Sequence, residues 1–501
     1  MGKKERLYCE ITSFNPEVTG SCHLITVHYP NRMKSSFLVD MGLYQEKEYN
    51  WMNQEKLPFK SETIDFILIT HNHADHMGKL AIACKKGFTG KIYASKETVE
   101  VMPLALNDAL SIEKINAQRE KRKQNYEEQE VKMVFDKIEP CKFGEVEYIT
   151  PNIKVTFFMN GHIYGASMIL VQISAQGEKD INLLFTGDYK PTNRLFDVTD
   201  MPEWVYELPI TIVTESTYGY MDTRDVRYHF ENDIEEAVKC GKTILISVFA
   251  QARAQEILHS LSEMQYHGRI NCLIPIFLDG KLAQGYTHLY QKSKMLDDAN
   301  KANFLPSNFQ YVTVENRQMV LNNSKSQIIL TTSGMMDHGP AQIYLKQFVE
   351  RRDVLIYIPG YSANTTLAYS LKNPIEGKVP IEGKEYKINA EVKSTSEFSS
   401  HAKADEIIDF LRKFKKINLV LVNHGECHVK RIFAERVEKE IAKAKRVEIL
   451  GNHTFVISSN GYIKHMGSKY KTMNDKNVKK TQKKKCKERR MYNKKFTHKR
   501  S

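Results

Sequence analysis

No apolar run in this 501-residue chain approaches the ~20 residues that span a bilayer, so no membrane partner is expected. The opening residues, Met1-Gly-Lys-Lys-Glu-Arg, lack an apolar signal core. Export is therefore not expected, and the expected place is the cytoplasm, or the nucleus if the source is eukaryotic. The eight cysteines (Cys9, Cys22, Cys84, Cys141, Cys240, Cys272, Cys427 and Cys486) are scattered and form no CxxC pair. That spacing argues against a thiolate zinc site and a disulfide framework, and it fits ordinary free thiols in a reducing compartment. Internal repeats and Pro/Gly/Ser-rich linkers are also missing, so composition marks no boundary before residue 467. Acidic residues are scarce at one end: residues 468–501 hold twelve lysines and three arginines against Asp475 and Glu488, a net +13. The whole chain is also +13, so residues 1–467 sum to zero and the basicity belongs to a tail. Such a block reads as a disordered arm that finds polyanions by counterion release. A solubilising tail or a nuclear-localisation cluster has the same composition.

What is present is the composition of a soluble globular protein, 41% hydrophobic and 27% charged, long enough for two or three domains. Short apolar strands alternate with amphipathic helices, which predicts an α/β architecture. Residues 64–69 read as a strand, followed by a helix from about Met77 to near Gly87. Residues 108–132 are charged helix formers and predict an exposed helix or a hairpin of helices. A helix over residues 402–415 would place Ile407, Ile408, Leu411 and Phe414 on one face.

The strongest signal is His71-Asn-His73-Ala-Asp75-His76, four potential metal ligands within six residues at a strand end. A tight loop there can aim His71 and His73 to one side and Asp75 and His76 to another, as two adjacent metals require. Imidazole and carboxylate without thiolate suit zinc, ahead of manganese or iron. Two metals need about seven or eight ligands, so others must come from elsewhere. Candidates stand where other short strands end: His162 in Asn160-Gly161-His162, Asp188 in Thr186-Gly187-Asp188, His424 in Asn423-His424-Gly425-Glu426, and Asp40 before Met41-Gly42. Each alone is an ordinary turn sequence. Together they describe a sheet that concentrates ligands along one edge.

HNHADH with the later GH, TGD and HGE elements resembles the metallo-β-lactamase fold. Residues 214–219 (TESTYG) are similar to the element that marks its β-CASP subgroup, whose members process nucleic acids. Residues 18–24 (VTGSCHL), 247–250 (SVFA), 253–256 (RAQE), 332–336 (TSGMM), 359–361 (PGY) and 399–402 (SSHA) agree with it. The resemblance runs from residue 6 to about 460. It is to the family that includes the endonuclease subunit of the eukaryotic pre-mRNA 3′-end cleavage complex and its bacterial and archaeal relatives. It implies a four-layer αββα sandwich formed by residues 1–205 and 395–467, with an α/β β-CASP domain inserted at 206–394 to cap the metal edge and form a groove. It also implies two Zn2+ per chain, one held by His71, His73 and His162 and the other by Asp75, His76 and His424, with Asp188 bridging and Asp40 orienting a ligand imidazole. Ala252 and Asn364 stand where many relatives carry glycine or acidic residues, and residues 373–392 read as a loop without a counterpart.

By the same resemblance the substrate is RNA, with His424 as the residue that separates RNA processing from the DNA-repair branch. A metal-bridged hydroxide attacking phosphorus would need no ribose 2′-OH, so the expected products carry a 5′-phosphate and a 3′-OH. Cutting is expected to be endonucleolytic, with 5′-exonuclease activity as a second mode. His401, expected at a helix N-terminus and paired with Glu215, would contact phosphate and act as general acid. Ser399 and Ser333 are candidates for phosphate hydrogen bonds. Homodimerisation and membership of an RNA-processing complex are both compatible with the resemblance. The competing readings are a DNA-processing β-CASP nuclease, a small-molecule metallohydrolase of the same fold, and a non-catalytic RNA-binding scaffold. The last would normally have lost a ligand.

Overall fold

A computed structural model describes residues 6–468 apart from 297, 361, 363 and 364. The predicted basic tail, Ser468 excepted, lies outside the described residues, as do Asn364 and Cys486. The chain divides into two compact units. One comprises the chain up to Pro191, Val198–Thr223 and the part from His401 onward; the other comprises Thr192–Asp197 and Arg224–Ser400.

The first unit contains two sheets. An eight-stranded sheet runs Ile463–Gly467, Thr454–Ser458, Tyr8–Ser13, His23–His28, Lys34–Val39, Phe66–Ile69, Lys91–Ser95 and Ile138–Cys141. A seven-stranded sheet runs Val447–Ile449, Lys416–Val422, Pro209–Thr214, Ile181–Phe185, Ser167–Ile173, Ile153–Met159 and Val146–Thr150. Successive strand residues point to opposite faces, and here both faces are apolar. Ile11, Ile25, Phe37 and Leu68 of the first sheet meet Val155, Ile169, Leu183 and Leu421 of the second in one buried cluster. The alternate residues of the first sheet, Leu38, Ile67 and Ile92, pack on helical Leu80, Met102 and Val131. Those of the second, Leu184, Ile212 and Val420, pack on Ile407, Ile408 and Leu411. The result is the four-layer αββα sandwich.

The second unit is built on a six-stranded, all-parallel sheet in the order Phe309–Tyr311, Ile276–Asp279, Gln327–Thr331, Thr243–Ser247, Val354–Ile358 and Glu391–Ser394. Helices cover both faces, as parallel sheets require: Ile257 and Leu261 pack on Ile244 and Ile246, while Tyr344 and Phe348 pack on Leu245 and Ile356. Residues 373–392, expected as a loop, contain the hairpin Lys378–Ile381 with Lys384–Lys387 and the start of the edge strand. Val379 and Ile381 are buried, which gives that segment an apolar face to fold on. Ala252 takes φ +63 just before the helix Arg253–Tyr266, a conformation that favours glycine.

Three expectations shift. The units part near residues 192–198, 223 and 400, not at 206 and 394, because Pro209–Thr214 pairs in parallel with both Ile181–Phe185 and Lys416–Val422. The helix expected from Met77 to Gly87 is two pieces, Ala74–Met77 and Leu80–Lys85. Met41 splits them by donating its N–H to His76 and accepting from Lys79. The charged stretch is the helix Lys96–Arg119 followed, after a turn, by Glu128–Phe135. No helix among the described residues is long and apolar enough to cross a membrane.

Candidate metal centre

Six strands of the first unit end at one rim. Asp40 follows Lys34–Val39, the HNHADH loop follows Phe66–Ile69, and those two strands are parallel neighbours. In the facing sheet, His162 follows Ile153–Met159, Asp188 follows Ile181–Phe185, Glu215 follows Pro209–Thr214, and His424 follows Lys416–Val422. Each of these loops must turn back at once to aim its side chain at the same point. Asp40 (φ +60), Gly187 (φ +57) and His424 (φ +41) all adopt the left-handed region to do so. A Cβ on Gly42 would lie 1.6 Å from the Asp75 carbonyl oxygen, so only glycine lets these two loops meet backbone to backbone. Asn160 ties two loops together: its amide donates to the carbonyls of Thr186 (3.1 Å) and Asp188 (3.0 Å), and its side-chain oxygen accepts from the His162 N–H (2.9 Å).

The side chains form a group of His71, His73, His162 and Asp188 and a group of Asp75, His76 and His424, with Asp188 also clustered with Glu215 and His401. The Asp188 carboxylate reaches both of the first two groups. Its Oδ2 lies 3.6 Å from His71 Nε2 and 3.5 Å from His162 Nε2. His73 Nδ1 stands 3.1 Å from His71 Nε2 and 3.2 Å from His162 Nε2. The other oxygen, Oδ1, lies 3.2 Å from His76 Nε2 and 3.1 Å from His424 Nε2. Asp75 Oδ2 is 3.8 Å from His76 Nε2 and 3.6 Å from His424 Nε2. Bare imidazole lone pairs repel at such separations unless a proton or cation lies between them. Bonds of 2.0–2.1 Å around a tetrahedral zinc give ligand-to-ligand edges of about 3.3–3.4 Å, so both groups fit a divalent metal in spacing and in donor chemistry.

The groups behind the donors fix which nitrogen faces inward. Asp40, buried, receives His76 Nδ1 at 2.7 Å and is itself held by the Thr70 N–H (2.9 Å) and the Thr70 and Ser21 hydroxyls. Thr70 Oγ1 also stands 3.1 Å from His71 Nδ1. Burial holds the His71 imidazole well below its ordinary pKa, with His76 adding to the effect, and burial lowers His73 likewise. His76 and His424 feel the same burial, but it is outweighed by Asp188 and Asp75, joined at His76 by Asp40, and both are pushed up. Burial would raise the Asp188 carboxyl, yet His424, His76 and His401 outweigh it and hold it well below the carboxylate range.

Beside this cluster, His401 Nδ1 lies 3.0 and 3.1 Å from the two oxygens of Glu215, and its Nε2 is 3.9 Å from Asp188 Oδ2. Glu215 is buried and anchored by the backbone N–H groups of Tyr189 (2.5 Å) and Thr217 (3.3 Å). His401 is not at a helix N-terminus. The helix is Ala404–Lys413, capped at Lys403, because Ala402 N–H bonds the Tyr189 carbonyl and Ala404 N–H bonds that of Met221.

Three family models match the chain: the metallo-beta-lactamase superfamily domain over residues 32–189, the Beta-Casp domain over 254–371, and the Zn-dependent metallo-hydrolase RNA specificity domain over 385–450. Together these matches give the chain the domain set of the β-CASP proteins of the metallo-β-lactamase fold. It is 28% identical over 436 residues to the transcription termination factor FttA of Methanosarcina mazei, a match covering 82% of this chain. The chain spans only 65% of that relative's length. An RNase J-like protein of Methanocaldococcus jannaschii is 29% identical, covering 78% of this chain and 88% of its own. A ribonuclease of Thermus thermophilus is 29% identical, covering 82% and 91% respectively.

Within this β-CASP chain the first unit brings together His71, His73, Asp75, His76, His162, Asp188 and His424, with Asp40, Glu215 and His401 against them. Ser333 and Ser399 belong to the second unit. Ser333 Oγ donates to the His338 carbonyl at 3.4 Å, and Ser399 is buried with its N–H on the Ser396 carbonyl. Sequence reasoning passed over Thr70, Asn160 and Thr217. All three lie beside or inside the motifs it singled out. Also missed was His23, buried behind the cluster against Phe185 and pushed down to about 4 by burial.

Proposed function

We propose that the chain is a zinc-dependent ribonuclease that hydrolyses RNA phosphodiester bonds and leaves a 5′-phosphate and a 3′-OH. The observation that carries this reading is Asp188, whose two carboxylate oxygens each face a separate group of donors. His71, His73 and His162 would hold one zinc, Asp75, His76 and His424 the other, and Asp188 would bridge them. When bound, such a pair supplies a nucleophile at neutral pH and neutralises charge growing on the phosphoryl oxygens.

The chain's own residues do the rest. Asp40 and Thr70 keep His76 and His71 aimed at the rim, so the donors need little reorganisation when a metal binds. Glu215 fixes the His401 ring through Nδ1, which leaves Nε2 at the partly exposed mouth of the cluster. From there His401 would contact the phosphate and deliver a proton at Nε2 to the departing 3′ oxygen. Ser333 and Ser399 would donate hydrogen bonds to other phosphates along the strand. RNA as substrate is supported by the match to the RNA specificity domain model and by two relatives named as ribonucleases. Cleavage would be endonucleolytic, with 5′-exonuclease activity as a second mode, and the protein would work alone, as a homodimer or in an RNA-processing complex.

The test is to incubate purified protein with 5′-labelled RNA and matched DNA, with and without a chelator, and to measure its zinc content. The expected result is two zincs per chain and cleavage of RNA alone, stopped by the chelator. Cutting of DNA instead would move the chain to the DNA-processing branch, and thioester turnover without nuclease activity would make it a small-molecule hydrolase.

A further inference from the structure

We infer that Thr217 is a positioning residue for the second zinc, acting through His424; this deepens the reading above and rests on it. His424 is an unusual place for a metal ligand. It leaves its strand with φ +41, in the left-handed region that a residue with a Cβ rarely adopts. The turn persists because residues 216 and 217 grip it. Ser216 Oγ donates to the Asn423 carbonyl at 2.8 Å, and the Ser216 N–H donates to the His424 carbonyl at 3.1 Å. From the opposite side, the Gly425 N–H donates to the Glu17 carbonyl at 3.0 Å.

These contacts hold the backbone, whereas Thr217 meets the ring at Nδ1. Its Oγ1 lies 3.2 Å from His424 Nδ1 and 3.3 Å from the His424 carbonyl oxygen. A hydroxyl has one proton and two lone pairs. The carbonyl can only accept, so the Thr217 proton goes there and its oxygen is left to accept from Nδ1–H. In the neutral ring, that places the proton on Nδ1 and the lone pair on Nε2, the nitrogen facing Asp75, Asp188 and His76. His71 is met at Nδ1 by Thr70 of its own strand end, and His76 by Asp40 at the end of the neighbouring strand. His424 is served from a different segment, 207 residues away, by a neutral group. Glu215, which holds His401 Nδ1 at 3.0 Å, stands on the same segment as Thr217, so one short stretch orients both the metal ligand and the proton donor.

Thr217→Val keeps the β-branched shape and the Thr217 N–H bond to Glu215 while removing the hydroxyl; Thr217→Ser keeps the hydroxyl. Zinc binding to the full-length metal-free protein is measured by competition with a chromophoric chelator, resolving the two equivalents. In Thr217→Val one equivalent is expected to weaken about 10- to 100-fold, with the other unchanged and Thr217→Ser close to wild type. The inference is overturned if Thr217→Val binds both equivalents as tightly as wild type, if both weaken equally, or if Thr217→Ser is as impaired as Thr217→Val. A wild-type chain that never takes up two zincs would instead defeat the two-metal reading on which the inference rests.

Discussion

The two donor groups around Asp188 differ in origin and in charge. His71, His73 and His162 are imidazoles only, two of them from one short loop, and burial leaves His71 and His73 reluctant to take a proton. Asp75, His76 and His424 pair a carboxylate with two imidazoles that neighbouring carboxylates pull toward the protonated state. The first group is ready for a cation; the second must shed protons to accept one. A site assembled from neutral donors and a site assembled from charge-paired donors should therefore bind the same metal with different pH dependence.

The largest effect should come from the residue the two groups share. Asp188→Asn is expected to lower the zinc content from two to one or none and to slow RNA cleavage by about a thousandfold or more. Two tightly held zincs in that variant would show that the groups are independent. Next in size are variants that strike one group each. His73→Ala and Asp75→Ala should both abolish cleavage with unchanged circular dichroism, the first losing the pH-insensitive zinc and the second the pH-sensitive one. Metal titrations at pH 8, 7 and 6 sharpen the contrast. Because His76 and His424 have raised pKa values, the affinity of their group should begin to fall at a higher pH than that of the first group; parallel losses would erase the distinction. Asp40→Asn should cost the second group about 10- to 100-fold in zinc affinity and the first much less. Smallest is deletion of residues 468–501, which should weaken RNA binding mainly at low salt without altering the chemical step; an unchanged salt dependence would remove the tail's proposed role.

Ligand types packed as densely as His71 to His76 are legible in a sequence because six residues cannot reach far from one another. The alternation of apolar residues likewise shows the strands, and Ile181–Phe185 has the bounds that its pattern suggests. What the sequence hides is whatever depends on segments meeting. The broken helix at Gly78 follows from hydrogen bonds to Met41, and the late start of the helix at Ala404 follows from bonds to Tyr189 and Met221. Periodicity sees neither. Pro209–Thr214 reads as a buried strand in either unit, and only its pairing with Lys416–Val422 assigns it. Thr217 sat in a motif singled out for its glutamate, and nothing in the order of residues says that its hydroxyl meets His424.

In chain order, residues 224–400 of the second unit fall between Pro209–Thr214 and Lys416–Val422, two strands that pair directly with Thr214 opposite Val422. A ribosome delivers the amino-terminal half first. While the polypeptide is still emerging, Glu215 has no His401 and the rim has no His424, the last of its donors to be made. An unfinished chain therefore cannot complete either the second donor group or the pair of Glu215 with His401, and the rim closes only once residue 424 has been made.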